Sequence, residues 1–357
     1  MSPPTLDQPL LTDDLPGTGG VLRSSPGDFR VIERPAYDAA GEGDHVFATI
    51  EKTGLTTFEA IKRIAAALGV APRDVGSAGM KDRHAITEQR LSLPAPCSPE
   101  QVLALELEGI RVLEARRHGH KLRTGHLRGN AFVITIRDTE VDGAEAAARA
   151  RQILRALTTA PGSPNWYGEQ RFGARGDNAA VGRALLLRAP LPAGVRAPRG
   201  QTRRLMISAY QSQLFNQALH QRMADGLYRR VIEGDLLQKT DTGGIFASED
   251  PAGDQGRLDR GEVVPTGPMF GHRMKAPPAG SAAGAREAAI LAAEGLTEPD
   301  FARAGKLASG TRRAYAIALG ETDARAIEDR AIEVSFELPA GAYATTVLRE
   351  IVKGSNP

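Results

Sequence analysis

The stretch that carries most chemistry is Gly79-Met80-Lys81-Asp82-Arg83-His84-Ala85-Ile86-Thr87-Glu88-Gln89. Asp82 stands between two cations, and opposite charge on both sides favours the ionised carboxylate. A carboxylate in a glycine-bearing loop can be held rigidly and still reach a ligand. It can act as a covalent nucleophile with no cofactor at all. A Lys-Asp pair in a turn is also an ordinary turn, so the pair alone leaves both readings open.

Other chemistries lack their residues. The seven histidines make no H-E-x-x-H pair, and His118 and His120 have no acidic or cysteine neighbour to complete a metal shell. Those two read as solvated or phosphate-facing side chains. The single cysteine, Cys97, excludes a disulfide framework and a cysteine-cluster metal site, which points to a reducing compartment. No G-x-S-x-G elbow occurs. Gly305-Lys306 lacks the upstream glycine of a phosphate loop, and Gly17, Gly19 and Gly20 do not form a dinucleotide fingerprint. The expectation is chemistry by side chains alone, with no cofactor and no metal.

The elements that must position Asp82 alternate. Strand texture appears at Phe29 to Ile32, His45 to Ile50, Thr87 to Leu93, Arg111 to Leu113 and Ala131 to Arg137. The spacing of Ile61, Ile64, Ala65 and Leu68 predicts a helix from Phe58 to Leu68, capped by Thr56 or Thr57 and stopped by Pro72. An Ala-rich helix from about Ala144 to Leu157 runs into a break at Thr158 to Pro164. Beyond the break come helices such as Ala209 to Met223. Strand texture returns at Ala331 to Leu338, followed by a helix from Thr345 to Val352. This gives an α/β (α+β) class and one domain interrupted by another. The expected boundaries are a loose lead-in over 1–18, a first part over 19–160, an insertion over 161–318 and a return over 319–357.

With 357 residues the chain is long enough to bury a large core. The first sixteen residues lack the basic start and apolar run of a signal peptide, and the longest apolar stretch, Ile64 to Ala71, is far too short to span a bilayer. A cytoplasmic monomer with no membrane contact is expected. The formal net charge is only +2, yet Arg111 to Arg137 carries seven cations, three histidines and a single acid, Glu114. Charge is therefore segregated, and glycines 119, 125 and 129 leave room for backbone N–H groups along a phosphate chain. Arg196, Arg199, Arg203 and Arg204 form a second concentration. The preference for arginine (37 against eight lysines) suits phosphate recognition but also fits a GC-rich coding sequence.

Taken whole, G-x-K-D-x-x-A-x-T-x-Q at Gly79 to Gln89 resembles the signature of the TruD family of tRNA pseudouridine synthases. His120-Lys121-Leu122-Arg123 with Gly125, Leu127, Gly129, Asn130 and Phe132 resembles the family's second motif. Asn165 to Gly173 is similar to N-Y-F-G-x-Q-R-F-G, with Trp166 and Tyr167 in place of the usual aromatics. Phe215-Asn216, Pro265 to Gly271 and Pro339 to Thr345 match further motifs, so the resemblance runs from about Gly17 to Val352.

The resemblance implies a pseudouridine synthase fold, a mixed, mostly antiparallel sheet with helices, interrupted by an inserted TRUD domain that helps hold the RNA. It implies conversion of a uridine in tRNA to pseudouridine, at position 13 of the D arm in tRNA-Glu-type substrates, without cofactor or metal. Asp82 would be the nucleophile, attacking C1′ or C6 or assisting glycal formation. Phe29, Asn130 and Tyr343 match substrate-contacting positions, Tyr343 standing where the family has Phe. Arg23 stands where the family has a basic residue that pairs with the nucleophile.

Each of these residues also has a plainer reading. Phe29 and Phe132 fit the core of their strands as well as a uracil-stacking surface, and Asn130 fits a turn. Lys81 fits either support of the ionised Asp82 or a phosphate contact. Asp28, Glu88 and Glu169 read as structural, and Asn165 to Gly173 as a packing motif. Two rival functions remain: an RNA-binding protein without catalysis, against which the intact Lys81-Asp82 pair speaks, and a small-molecule nucleosidase, which lacks an obvious second carboxylate beside Asp82.

Overall fold

The structure, a computed structural model, describes residues 8–353. Alternation sets the first strands. After the short β1 (Val21–Leu22), β2 (Phe29–Pro35) turns Phe29, Val31 and Glu33 to its buried face, and β3 (His45–Thr53) buries Val46, Ala48, Ile50 and Lys52. Helix α1 (Thr57–Leu68) starts on Thr56, whose side chain accepts from the Glu59 N–H while the Glu59 carboxylate accepts from Thr56. It ends at Gly69, left-handed with φ 68°, and not at Pro72: glycine takes that reversal at the least conformational cost. Then follow β4 (Gly76–Ser77), the Asp82 loop, β5 (Ile86–Leu93), α2 (Pro99–Leu103), β6 (Ile110–His118), β7 (Leu127–Arg137) and α3 (Gly143–Thr158).

The basic segment is more regular than expected. Arg111, Arg116 and Arg117 lie on β6, a nine-residue strand at the end of the sheet. His118 closes that strand and is not solvated. It is 7% exposed, its ring stacks on Phe47 with centroids 4.0 Å apart, and its Nδ1 accepts from the Ala40 N–H at 3.1 Å. Burial holds its pKa below the usual histidine value. Among the described residues no group of three His, Cys, Asp or Glu side chains could hold a metal ion.

Among the described residues the chain divides between a unit of Asp14–Arg155, Leu319–Ala344 and 348–353, and a unit of 8–13, Ala156–Ala318 and Thr345–Val347. The latter unit contains β8 (Ser163–Pro164), α4 (Asn178–Leu187), α5 (Gly200–Ala224), β9 (Leu236–Lys239), β10 (Ile245–Ala247), α6 (Pro251–Asp259), β11 (Val263–Met269), α7 (Ala282–Glu294), α8 (Glu298–Ala304), β12 (Thr311–Ala314) and β13 (Ala316–Ile317). Tyr210, Leu214 and Phe215 of α5 form its core with Trp166, Phe270 and Phe301. Gly182 lets α4 lie against α5, since a Cβ there would fall 2.0 Å from the Met206 carbonyl oxygen. The first part of the Asn165 to Gly173 stretch is packed into this unit, the Asn216 side chain accepting from the Tyr167 N–H and donating to the Tyr167 carbonyl, each at 3.0 Å, whereas Glu169 and Gln170 are exposed.

The chain then returns through β14 (Thr322–Glu328), β15 (Ala331–Pro339) and α9 (Ala344–Val352). β15 pairs with β7 along its whole length, from Ala331 opposite Arg137 to Pro339 opposite Gly129. The sheet order is β14-β15-β7-β2-β5-β3-β6, with β1 also on β7 and β4 on β5. Only β2 and β5 run parallel, so the sheet is mixed and mostly antiparallel. Of the expected loose lead-in, residues 1–7 lie outside the described residues. Its end is anchored, with Thr12 and Thr18 buried and the N–H groups of Thr18 and Gly19 donating to the carbonyls of Ile351 and Val352 at 2.9 and 3.1 Å.

Candidate active site

The loop between β4 and β5 holds Asp82 by its backbone and leaves its carboxylate accessible. The side chain is 33% exposed. Its Oδ1 accepts from the His84 N–H at 3.1 Å, a local turn bond that fixes one oxygen. Its Oδ2 lies 3.7 Å from the Arg23 guanidinium. Arg23 follows β1 in the left-handed region, φ 61°, a conformation that a non-glycine residue keeps only where its surroundings impose it. The same guanidinium lies 4.5 Å over the Phe29 ring, so one cation bridges an aromatic face and the carboxylate.

Phe29 and Phe132 are both buried, edge to face at 6.4 Å, and Phe132 stacks on Phe336 of β15 at 5.4 Å. The strand register explains this, because Phe132 stands opposite Val31 on one side and Phe336 on the other. Phe132 is thus held by aromatic neighbours, and the Phe29 face that it leaves is covered by Arg23. Tyr343 is half-buried at the N-cap of α9, in a turn joined to β7 through the Ala340 N–H and the Arg128 carbonyl at 3.1 Å.

Lys81 is turned inward. Its side chain is 6% exposed, with Nζ 2.7 Å from Glu33 Oε2 and donating to Asn130 Oδ1 at 2.8 Å. The physical reason is Glu33, itself 2% exposed: a carboxylate on the buried face of β2 needs a cation close by. Asn130 is a strand residue opposite Glu33, not a turn residue, and its amide oxygen is taken by Lys81. Asp28 pairs with Arg137 at 2.8 Å, as its structural reading requires.

Three supports of the loop escape sequence reading. Lys52 of β3 is fully buried, and its ammonium donates to the carbonyls of Asp82 at 2.7 Å and Leu55 at 2.6 Å. Thr57, the first residue of α1, accepts from the Lys81 N–H and donates to Gln89 Oε1, both at 2.8 Å. Glu33 is the third. A signal for two of them existed: continuing the strand alternation past Ile32 and Ile50 turns Glu33 and Lys52 inward.

Burial pushes the Lys52 ammonium down to about 8, against the pull of the Asp82 charge. Its folded pKa is therefore below its unfolded value. Below about pH 8 both states carry the proton; above it, the unfolded state binds more, and stability rises with pH through that group. We predict that the stability difference between the protein and Lys52→Met is flat from pH 6 to 7.5. It should then widen in favour of the parent chain up to about pH 10 in urea denaturation. A difference that stays flat throughout would mean that Lys52 does not titrate in this window.

Comparisons with known proteins identify the family and the fold. A family model described as tRNA pseudouridine synthase D (TruD) matches residues 5–196 and 191–351. The tRNA pseudouridine synthase D of Anaeromyxobacter dehalogenans strain 2CP-1 is 50% identical over 349 residues, covering 98% of this chain and 97% of the relative. That of Geobacter metallireducens is 41% identical over 406 residues, covering 97% and 98%. Among solved structures, a candidate tRNA pseudouridine synthase D from Methanosarcina mazei superposes with a TM-score of 0.80 at 24% identity, over 98% of this chain and 97% of that one. At that identity the likeness is one of fold.

Proposed function

The chain belongs to the tRNA pseudouridine synthase D (TruD) family, a family of isomerases, and from that premise we propose that it converts the uridine at position 13 of the D arm, in tRNA-Glu-type substrates, with Asp82 as nucleophile. The observation that carries the reading is the Asp82 carboxylate itself, one-third exposed, backed by Arg23 and fixed through its own backbone by Lys52. In the reaction the N1–C1′ bond breaks and a C5–C1′ bond forms. N1 gains a proton and the C5 proton goes to solvent, so no second substrate is consumed. Asp82 would attack C1′ or C6 or assist glycal formation.

The remaining residues take supporting roles. Arg23 holds the Asp82 charge in place, and the Phe29 face that it covers would open to a flipped-out base once the Arg23 side chain swings aside. Tyr343 would line the pocket from the turn before α9. Phe132, Lys81 and Asn130 act behind the pocket, holding Phe29 and the loop. The protein would work in the cytoplasm as a monomer, on RNA and not on a membrane. No described helix is long and apolar enough to cross one.

Incubating the protein with unmodified tRNA transcripts and mapping pseudouridine along them tests this. New pseudouridine is expected at position 13, with no free uracil in the supernatant. Modification elsewhere would defeat the site assignment, and free uracil would mean a nucleosidase.

A further inference from the structure

Between Asn178 and Ala224 the sequence has seven arginines and no aspartate, glutamate or lysine. Two of the seven are used within their own unit: Arg183 pairs with Glu294 at 3.2 Å and Arg222 with Asp235 at 2.6 Å. The other five, Arg188, Arg196, Arg199, Arg203 and Arg204, are exposed, and none of them is in an ion pair among the described residues. This differs from the arginines of β6, where Arg111 pairs with Glu51 and Arg116 with Glu114.

Three of the five, Arg199, Arg203 and Arg204, are also placed against the electrostatics of their helix, whereas a cation at a helix C-terminus, as at Arg188, is favourable. Arg188 ends α4 in the left-handed region with φ 54°. Arg196 lies in the connection, and Arg199 occupies the N-cap of α5, where no side-chain bond caps the helix and no acid stands in the first turn. Arg203 and Arg204 follow one turn on. A helix N-terminus carries partial positive charge and is normally complemented by acids or by Ser, Thr, Asp or Asn caps. Here cations repel both that charge and one another. Nothing in the described fold offsets this, so the arrangement calls for an external polyanion.

We propose that Arg188, Arg196, Arg199, Arg203 and Arg204 form a docking surface for the phosphate backbone of RNA, which binds the substrate without touching the reacting base. The proposal rests on the reading of the protein as an RNA-modifying enzyme. Guanidinium groups bind phosphate oxygens two at a time, and such contacts fix register without reading sequence. A membrane surface fits less well. Basic faces that bind bilayers carry apolar anchors beside the cations, and only Leu205 is an exposed large hydrophobic residue here.

The test uses the full chain and the triple variant Arg199→Gln/Arg203→Gln/Arg204→Gln, with unmodified tRNA transcript as the probe. Affinity is measured between 50 and 200 mM salt. The slope of log affinity against log salt should become shallower by about two, at roughly 0.7–0.9 for each phosphate no longer neutralised. KM for tRNA should rise about tenfold or more with kcat within about twofold, and the urea midpoint should stay or rise because repulsion is relieved.

An unchanged slope and KM would overturn the proposal. So would a fall in kcat at constant KM, a loss of stability, or loss of binding to anionic vesicles with RNA binding intact. A parent chain that makes no pseudouridine would defeat the synthase reading instead, and the two salt slopes would still be comparable.

Discussion

Replacing Asp82 with Asn lowers the rate of pseudouridine formation at least about a thousandfold, as loss of a nucleophile typically does, and leaves the fold in place. Asn keeps the shape of the side chain, and its Oδ1 can still accept from the His84 N–H. The Lys52 bond goes to the backbone carbonyl and is untouched by the change. What disappears is the negative charge facing Arg23 and the atom that would attack. Single-turnover formation of pseudouridine in a tRNA transcript, alongside a urea midpoint within experimental scatter of the parent, is the measurement. A variant that retains a tenth of the parent rate would remove Asp82 from the role of nucleophile.

Lys81→Met should cost about 3–5 kcal/mol of stability, the usual consequence of leaving one member of a buried ion pair alone. Glu33 would keep its charge on the buried face of β2 with its cation gone, and Asn130 would lose its donor. Activity should fall too, because the inward Lys81 side chain anchors the loop that carries Asp82 to β2 and β7, and that anchor is lost. The double variant Lys81→Met/Glu33→Met separates the causes. Removing the second charge should recover most of the stability, since paired buried charges gain little over well-packed apolar side chains. If the single variant loses less than about 1 kcal/mol, the Glu33–Lys81 pair does not carry the load assigned to it.

Much of the fold is legible in the residues alone, and the parts that are not share a cause. Periodicity finds α1, β7 and β15 because their apolar positions repeat at 3.6 or at 2. Asp82 stands out by its spacing with Gly79, Ala85, Thr87 and Gln89. The buried polar layer under the loop does not. The texture of β2 reads as ending at Ile32 and that of β3 at Ile50, since a charged residue normally marks a strand end. Glu33 and Lys52 are exceptions that exist only because each has a partner far away in sequence, Lys81 and the Asp82 carbonyl. Lys81 misleads for the same reason: its neighbour Asp82 is visible in the sequence, and its partner Glu33 is not. His118 reads as solvated from its basic neighbours, although the ring that receives it, Phe47, lies on another strand.

The pairing of β15 with β7 has a consequence for synthesis. One side of β7 can be covered early by β1 and β2, all made before residue 138, but the other side waits for Ala331–Pro339. At the usual rate of elongation, roughly 5–20 residues per second, the stretch from 137 to 331 keeps that side open for about 10 to 40 s. During this time an unpaired strand edge with alternating apolar residues is presented to the cell. Pairing so distant in sequence is also slow to form once the chain is released. The nascent sheet therefore depends on help or on luck until its last strand arrives, and a chain truncated before residue 331 should be captured by chaperones or degraded.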